Sequence, residues 1–522
     1  MSHGLITDAR LTRGLLLEQR TRPVHIIGAA SAEGVAVLRL LLNLGFEDII
    51  IHDVRERAEL RKAFRTTHGA WSRIEQDELW ERLAPIYDRG RFGADDYLSG
   101  MDDAALVVLG QGWYLEADNR ARVADAIPTT ALITSMTELY FALHRGPIAS
   151  ITGTNGKSTT IALAEHLLRT ADLPFRTAGN ERSNRQFLPE IDSVPAGTWA
   201  LLEVSNRQLL QLSRGAQVAA ITSLTPDHLE EHDGFAGYRD TKAKLFEHQN
   251  SHDVAIVNAD DPSAVEVARR SPAARANRLV LCGVGSYGGP SVSWRDGVLV
   301  AEDVPMMSGD GRRDGQTVIA TRGDLRLLGD HNLRNAAVAV ALAIACGADP
   351  SALAQGLRTF EGKALRLQRI EDVDGVEVWS DLKATTPEAT MVALEALAPA
   401  KGPARRVLLI AGGDDKGLDY TPLARSIAAR GVRVLAVPGS ATDALERACA
   451  AAAVDAVEGM AFERVAGLGE ALDRAFELAA SGDVVIVSPA AAGFWTRELR
   501  GGTSLRRLIR QRARVPQEVP ER

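Results

Sequence analysis

Short, continuous apolar runs recur along almost the whole chain, each followed by a stretch long enough for a helix. Val24–Ile27, Asp48–Asp53, Ala104–Leu109, Ile148–Thr152, Trp199–Val204, Val218–Thr222, Val254–Asn258 and Leu279–Leu281 read as strands. Val376–Trp379, Val407–Ile410, Val434–Val437 and Val484–Val487 repeat the pattern further on. Parallel strands cannot be joined by tight turns and need crossovers. The alternation therefore confines the chain to α/β architecture with mainly parallel sheets. Arg295-Asp296-Gly297, between Val292–Trp294 and Val298–Val300, is an exception, because Asp-Gly tolerates positive φ and signals a hairpin. The Ala-rich stretch Asn335–Cys346 reads as a helix, and so does Ala448–Ala453, as a helix surface.

At 522 residues the chain exceeds what one core can hold, and roughly 100–200 residues per domain gives about three. New units start near Gly146-Pro147 and near Gly362, and both junctions are expected hinges. The boundaries that follow are 1–136, 137–361 and 362–522. A polar, Arg- and Glu-rich stretch from Glu56 to Arg91 fits no strand of the first unit and reads as an inserted helical segment.

Lys plus Arg is 60 and Asp plus Glu is 68, a net charge of −8. That balance argues against nucleic acid as the main partner, while leaving room for a local basic pocket. Cys282, Cys346 and Cys449 are far apart, with neither a disulfide framework nor a cysteine zinc site in prospect, which suits a reducing cytosol. No run approaches the ~20 apolar residues of a membrane span, and the first residues lack a secretory pattern. A soluble cytoplasmic enzyme without membrane or nucleic-acid partners is expected.

The sharpest local signal is Gly153-Thr154-Asn155-Gly156-Lys157-Ser158-Thr159, directly after a strand and opening a helix. Backbone N–H groups of such a loop point at an anion, and the helix N-terminus adds a favourable partial charge. Lys157 can reach outer phosphates, and Ser158 or Thr159 can serve Mg²⁺. Glu203 closes a buried-looking strand, where α/β proteins bind ligands; its alternatives are a metal ion or an ordinary ion pair. Asp227-His228 is either a water or Mg²⁺ partner or a loop-capping pair. Lys242, within Tyr238–Phe246, reads by itself as a solvated helix lysine. Gly329–Asn335 opens the Ala-rich helix and can read a base edge or cap it. Arg366, Asp381 and Lys383 suit either a nucleotide clamp or plain ion pairing. Gly412–Gly417 follows a strand and is a ligand-loop candidate. Gly28-Ala29-Ala30-Ser31-Ala32-Glu33-Gly34 departs from G-x-G-x-x-G, so an NAD site is not expected.

In this order, over about Pro23 to Arg507, these segments resemble the Mur ligase family, within it the glutamate-adding branch. The resemblance is carried most by Ile151–Thr160, Pro226–Phe246, Gly329–Ala336 and Ser380–Thr386. It implies three domains: a Rossmann-like domain for a UDP-linked precursor, a central P-loop ATPase domain with a mainly parallel sheet, and a Rossmann-like domain for the incoming amino acid. It implies an ADP-forming amide ligase of peptidoglycan synthesis that adds glutamate, D-glutamate expected, to UDP-N-acetylmuramoyl-L-alanine. ATP and two Mg²⁺ ions are implied cofactors, and a monomer is expected. By the same resemblance Lys157 and Ser158 handle ATP phosphates and Mg²⁺, and Glu203 and His228 hold metal. Lys242 falls on the lysine that is carbamylated in the family, a reversal of its solvated reading. Asn335, Arg366 and Asp381 would contact the nucleotide. Lys383, Thr385 and Lys416 would lie near the acyl phosphate and the amino acid. Asp53, Arg55 and Asn180 would face the UDP precursor.

The chain departs from the family pattern at ligand positions. It reads Gly179-Asn180-Glu181-Arg182, Ser205-Asn206-Arg207-Gln208, Leu365-Arg366, Asp381-Leu382-Lys383, Ser488-Pro489-Ala490-Ala491-Ala492-Gly493 and Gly110-Gln111-Gly112 where the family usually differs. An altered polar pocket shifts discrimination strongly. The expected alternatives are therefore another amino acid, L-glutamate included, a related ligase outside peptidoglycan, or an ATP-binding scaffold without turnover.

Overall fold

The computed structural model describes residues 7–69, 71–111, 117–180, 185–307, 312–363, 365–398, 405–415, 417–494, 499 and 505–512. Three sheets account for the strands described. The first holds β1 (Val24–Ile27), β2 (Ile49–Asp53), β3 (Arg91–Phe92), β4 (Leu106–Leu109) and β5 (Leu132–Thr134), all parallel, in the order 3-2-1-4-5. β1 and β4 are buried throughout. The strand order reverses beside β1, so Gly28 and Gly110 meet at the carboxyl edge where such sheets take ligands. A Cβ on Gly110 would stand 2.6 Å from Ile27 O.

The second sheet holds β6 (Ile148–Thr152), β7 (Phe175–Gly179), β8 (Trp199–Glu203), β9 (Val218–Ile221), β10 (Val254–Asn258), β11 (Leu279–Val284), β12 (Ser291–Arg295), β13 (Val298–Pro305) and β14 (Arg312–Thr321). Its order is 14-13-12-11-10-9-6-8-7. β12 to β14 run antiparallel, and Arg295 pairs with Val298 across the Asp-Gly turn expected from the sequence. Asp296 takes φ 50° and Gly297 φ 79° there. The third sheet holds β15 (Gln368–Val373), β16 (Val376–Ser380), β17 (Val407–Ala411), β18 (Arg433–Ala436), β19 (Ala461–Arg464) and β20 (Val484–Val487), in the order 15-16-20-17-18-19. Only its β15–β16 pair is antiparallel.

By packing, the chain divides into two units, 1–325 with 333–358, and 326–332 with 359–522. In the first unit one apolar cluster runs from Leu11 to Ala273 and serves both the first and second sheets. Gly146, an expected hinge, is closely bordered by backbone: a Cβ there would lie 2.2 Å from Thr198 O and 2.8 Å from Ala196 O. The second unit buries two clusters, one on each side of its sheet, around Leu409 and Leu423 and around Ile410 and Leu472. No described helix is long and apolar enough to cross a membrane.

The polar stretch after β2 is helical. Leu60–Thr67 is followed by Arg73–Tyr87, whose start carries a capping box between Ser72 and Glu75. Leu60, Phe64, Trp80 and Tyr87 are buried, with Trp80 stacked on Tyr87 at 5.0 Å. The Tyr87 hydroxyl donates to Ala29 O at 2.8 Å, which fastens this β2–β3 connection to the loop after β1. The Ala-rich helix begins at Asp330 rather than Asn335 and ends at Ala345. Ala448–Ala452 closes the helix Ser440–Ala452, with Cys449 as its buried member.

Candidate active site

β6 ends at Thr152, and the chain turns through Gly153–Gly156 into the helix Lys157–Thr170. Gly156 caps that helix at φ 86°, and Gly153 stands at φ 146°. A Cβ on Gly153 would lie 2.2 Å from Thr222 Oγ1, and one on Gly156 2.4 Å from Asn335 Oδ1. Both positions therefore demand glycine, for conformation and for space. The end of β9 pins the loop. Thr154 N donates to Ser223 O at 2.8 Å, Asn155 N to Ser223 Oγ at 2.9 Å, and Thr154 Oγ1 lies 3.1 Å from the Tyr238 hydroxyl. The first-turn N–H groups at Lys157, Ser158 and Thr159 sit at this loop, the arrangement that receives phosphate oxygens. Lys157 Nζ folds onto the loop, donating to Gly153 O at 2.8 Å and Thr154 O at 2.9 Å.

Two neighbours of the loop bear on chemistry. Glu203 closes β8 beside β6 and is 3% exposed. Its Oε1 accepts from Ser158 Oγ at 3.2 Å, while its Oε2 is buried without a hydrogen-bond partner. A buried carboxylate oxygen left without a donor is costly unless a cation claims it. A carboxylate and a hydroxyl are hard oxygen donors of the kind Mg²⁺ takes, so the residues fit that ion. Lys242, on the helix Phe235–Glu247, is 1% exposed. Its Nζ donates to Gly153 O at 3.0 Å and Thr152 Oγ1 at 3.2 Å and lies 5.1 Å from the Tyr238 ring centre. Burial pushes this amine well below the usual lysine range, and the charge of Lys157 adds to the effect, against Asp227 and Glu203.

Asn335 meets the loop at Gly156, so Gly153–Thr159, Glu203, Lys242 and Asn335 form one constellation. His228 stands in another group. It takes φ 50°, its Nδ1 lies 3.4 Å from Glu231 Oε1, and its Nε2 lies 3.6 Å from Asp227 Oδ2. His228, Glu230 and Glu231 present ligand-capable atoms within 4.8 Å of one another, a group that does not include Glu203. Glu231 is also gripped at both oxygens by Arg207, at 3.0 and 2.6 Å. Tyr238 was not among the expected site residues. Tyr238 is 1% exposed and shares its helix face with Leu245 and Phe246, so in sequence it reads as core, and only the fold reveals that its hydroxyl braces Thr154.

A second feature of this unit is a cavity of about 670 Å³ between the carboxyl edge of the first sheet and Gly179, Asn180 and Gln186. Of the expected precursor contacts, Arg55 and Asn180 line it. Asp53 is buried beneath and holds Arg55 through its backbone N–H at 3.0 Å and its guanidinium at 3.1 Å. Burial raises the Asp53 carboxyl, and Arg55 opposes this. Asn180 N donates to Glu203 O at 2.8 Å, which ties this wall to β8. Glu33, in the first turn of the helix Ala32–Asn43, was not an expected site residue, yet it forms the floor. Its Oε1 accepts from Gln208 Nε2 at 2.6 Å and from Gln111 Nε2. Burial lifts its carboxyl from 4.5 to about 7, against those two hydrogen bonds. Three of the departures from the family pattern find polar partners: Gln111 shares Glu33 with Gln208, Arg207 takes Glu231, and Asn206 pairs with His232 at 2.8 Å.

In the second unit Asp381 follows β16. It accepts from Leu367 N at 3.0 Å and from Ser488 Oγ at 2.9 Å, and burial raises its carboxyl to about 6, with Arg366 opposing. Lys383 N donates to Leu365 O at 3.1 Å. Thr385 is exposed beside Thr386, the cap of the helix Pro387–Leu397. Lys416, Glu181, Arg182 and Gly112 lie outside the described residues.

With this geometry in place, comparison with known proteins is informative. Residues 151–343 match the Mur ligase middle domain, and residues 365–491 match the Mur ligase, glutamate ligase domain. A UDP-N-acetylmuramoylalanine–D-glutamate ligase of Pelotomaculum thermopropionicum is 33% identical over 400 residues, covering 76% of this chain and 80% of that protein. One from Symbiobacterium thermophilum is 31% identical over 427 residues, covering 81% and 88%. The structure of a pseudomurein peptide ligase type C from Methanothermus fervidus superposes with a TM-score of 0.50 at 15% identity, over 94% of this chain and 100% of that one, which speaks for the fold. The fold and site define an ATP-dependent ligase. The chain belongs to the Mur ligase family.

Proposed function

We propose that the protein joins the carboxyl group of UDP-N-acetylmuramoyl-L-alanine to the amino group of D-glutamate, converting ATP to ADP and phosphate. The observation that carries this reading is the phosphate loop with two buried groups turned to it, the Glu203 carboxylate and the Lys242 amine. The names of the relatives supply the substrates. In the first step a carboxylate oxygen attacks the γ-phosphorus, the bond to ADP breaks, and an acyl phosphate forms. In the second the amine attacks the carbonyl carbon, loses a proton, and expels phosphate.

Both partners of the first step are anions, so their approach must be offset. The helix N-terminus and Lys157 neutralise the triphosphate. Ser158 and Glu203 would hold one Mg²⁺ ion and His228, in its separate group, would serve a second; such ions would supply further charge stabilisation at the transferring phosphoryl group. Lys242, whose amine burial shifts toward the uncharged, nucleophilic form, would be suited to take up carbon dioxide as a carbamate, which would replace a nitrogen donor by a carboxylate oxygen donor. Asn335 would meet the base of the nucleotide, and Arg366, Asp381 and Lys383 its other parts. Lys383, Thr385 and Lys416 would serve the acyl phosphate and the amino acid. Asp53, Arg55 and Asn180 would hold the precursor. Two metal ions, a monomeric enzyme and a cytoplasmic site of action complete the reading, and the domains are those expected at 1–136, 137–361 and 362–522.

A second reading keeps the chemistry and changes the amino acid, L-glutamate included. It is favoured by Pro489–Gly493, which carries no hydroxyl, with Ala490 and Ala491 buried. Incubation of the protein with ATP, Mg²⁺, UDP-N-acetylmuramoyl-L-alanine and a mixture of D- and L-amino acids, followed by chiral mass spectrometry, separates the two. A D-glutamyl product supports the first reading and another aminoacyl product the second. ATP binding without any ligated product would leave a scaffold.

A further inference from the structure

The helical connection between β2 and β3 contributes a wall to the cavity. Glu59, Lys62, Ala63, Thr66 and Thr67 line it. These positions recur at helical spacing and make one face of Leu60–Thr67, while Leu60 and Phe64 on the other face are fully buried. The wall is held rigidly by Phe64 against Trp80, by Trp80 on Tyr87, and by the Tyr87 hydroxyl on Ala29 O. Three cations reach the cavity: Arg55, Lys62 and Arg207. Arg55 is engaged by Asp53 and Arg207 by Glu231. Lys62 is exposed and enters no ion pair among the described residues, so its charge is the one at the ligand's disposal. Across the cavity lies the Ser31-capped start of the helix Ala32–Asn43, which also favours an anion. Glu33 and Glu59 add acceptors for hydroxyl or N–H groups. A phosphate-bearing ligand rich in such donors, a nucleoside diphosphate sugar, matches both features.

Resting on the proposed substrate, we infer that the helix Leu60–Thr67 is a specificity element for the nucleotide end of the precursor, with Lys62 binding its diphosphate. A charge-assisted hydrogen bond of this kind is worth about tenfold or more in affinity. The test uses the full chain and its Lys62→Ala, Lys62→Glu and Lys62→Arg variants, with two readouts. One is calorimetric binding of UDP alone. The other is the KM for UDP-N-acetylmuramoyl-L-alanine beside the KM for ATP. The inference expects Lys62→Ala to weaken UDP binding and raise the precursor KM about tenfold, and Lys62→Glu to do so further. Lys62→Arg should stay within about threefold of the parent, and the ATP KM should not move. Unchanged UDP affinity and precursor KM in both Lys62→Ala and Lys62→Glu would overturn it, even with normal ligation. UDP binding that depends on Lys62 without ligation of the muramoyl precursor would leave it standing and sink the proposed substrate. A parent protein that binds no UDP and ligates no precursor would end both.

Discussion

Replacing Glu33 by glutamine turns the floor of the precursor cavity into a measurable quantity. The carboxyl sits at about 7 rather than 4.5 because it is buried, although Gln208 and Gln111 both donate to it. In the unfolded chain it ionises near its ordinary value. Between those two points the unfolded state has released a proton that the folded state keeps, so stability is lost as pH rises through the window. At 1.36 kcal/mol per pH unit the loss reaches about 3 kcal/mol above pH 7, or about 2 once solvent at the cavity mouth screens part of it. Glutamine keeps an acceptor for both amides and carries no charge. Chemical unfolding of the parent and Glu33→Gln proteins across pH 4.5 to 8, followed by tryptophan fluorescence, isolates this residue, because every other titrating group cancels in the difference. The variant should match the parent near pH 4.5 and exceed it by about 2–3 kcal/mol at pH 8. A difference that stays flat, or a parent that gains on the variant as pH rises, would refute the buried-carboxyl argument.

Lys242→Ala should abolish ligation, and a short carboxylate such as acetate should restore part of it by entering the space as an oxygen donor; full activity without addition would show that the buried amine has no part in the reaction. Gly153→Ala should raise the KM for ATP at least about tenfold, since its Cβ would stand 2.2 Å from Thr222 Oγ1 and the loop must shift; an unchanged KM would show that the loop tolerates the methyl group.

Much of the framework was legible because buried parallel strands write themselves as continuous apolar runs. Val24–Ile27, Ile148–Thr152, Val254–Asn258 and Val484–Val487 begin and end where the sequence places them. β7 and β19 were not read: Phe175–Gly179 and Ala461–Arg464 are only partly buried and carry Arg176 and Arg464, so their apolar signal is thin. The turn Gly153–Gly156 between β6 and its helix was legible because glycine spacing reports backbone needs directly. Lys242 was not, from its own helix alone. Its neighbours Lys244 and Asp240 make that helix look solvated, and nothing local tells that residue 242 faces Gly153 across the fold. Glu33 escaped for a related reason: its two partners come from residues 111 and 208, and no window along the chain contains all three.

The uninterrupted apolar cluster under the first two sheets bears on how such a chain can change what it accepts. A lobe that shares its interior with its neighbour cannot be exchanged for a foreign one without rebuilding both. Change in the cavity at the edge of the first sheet must then come through connections, such as the two helices between β2 and β3 that lead away from and back to that edge.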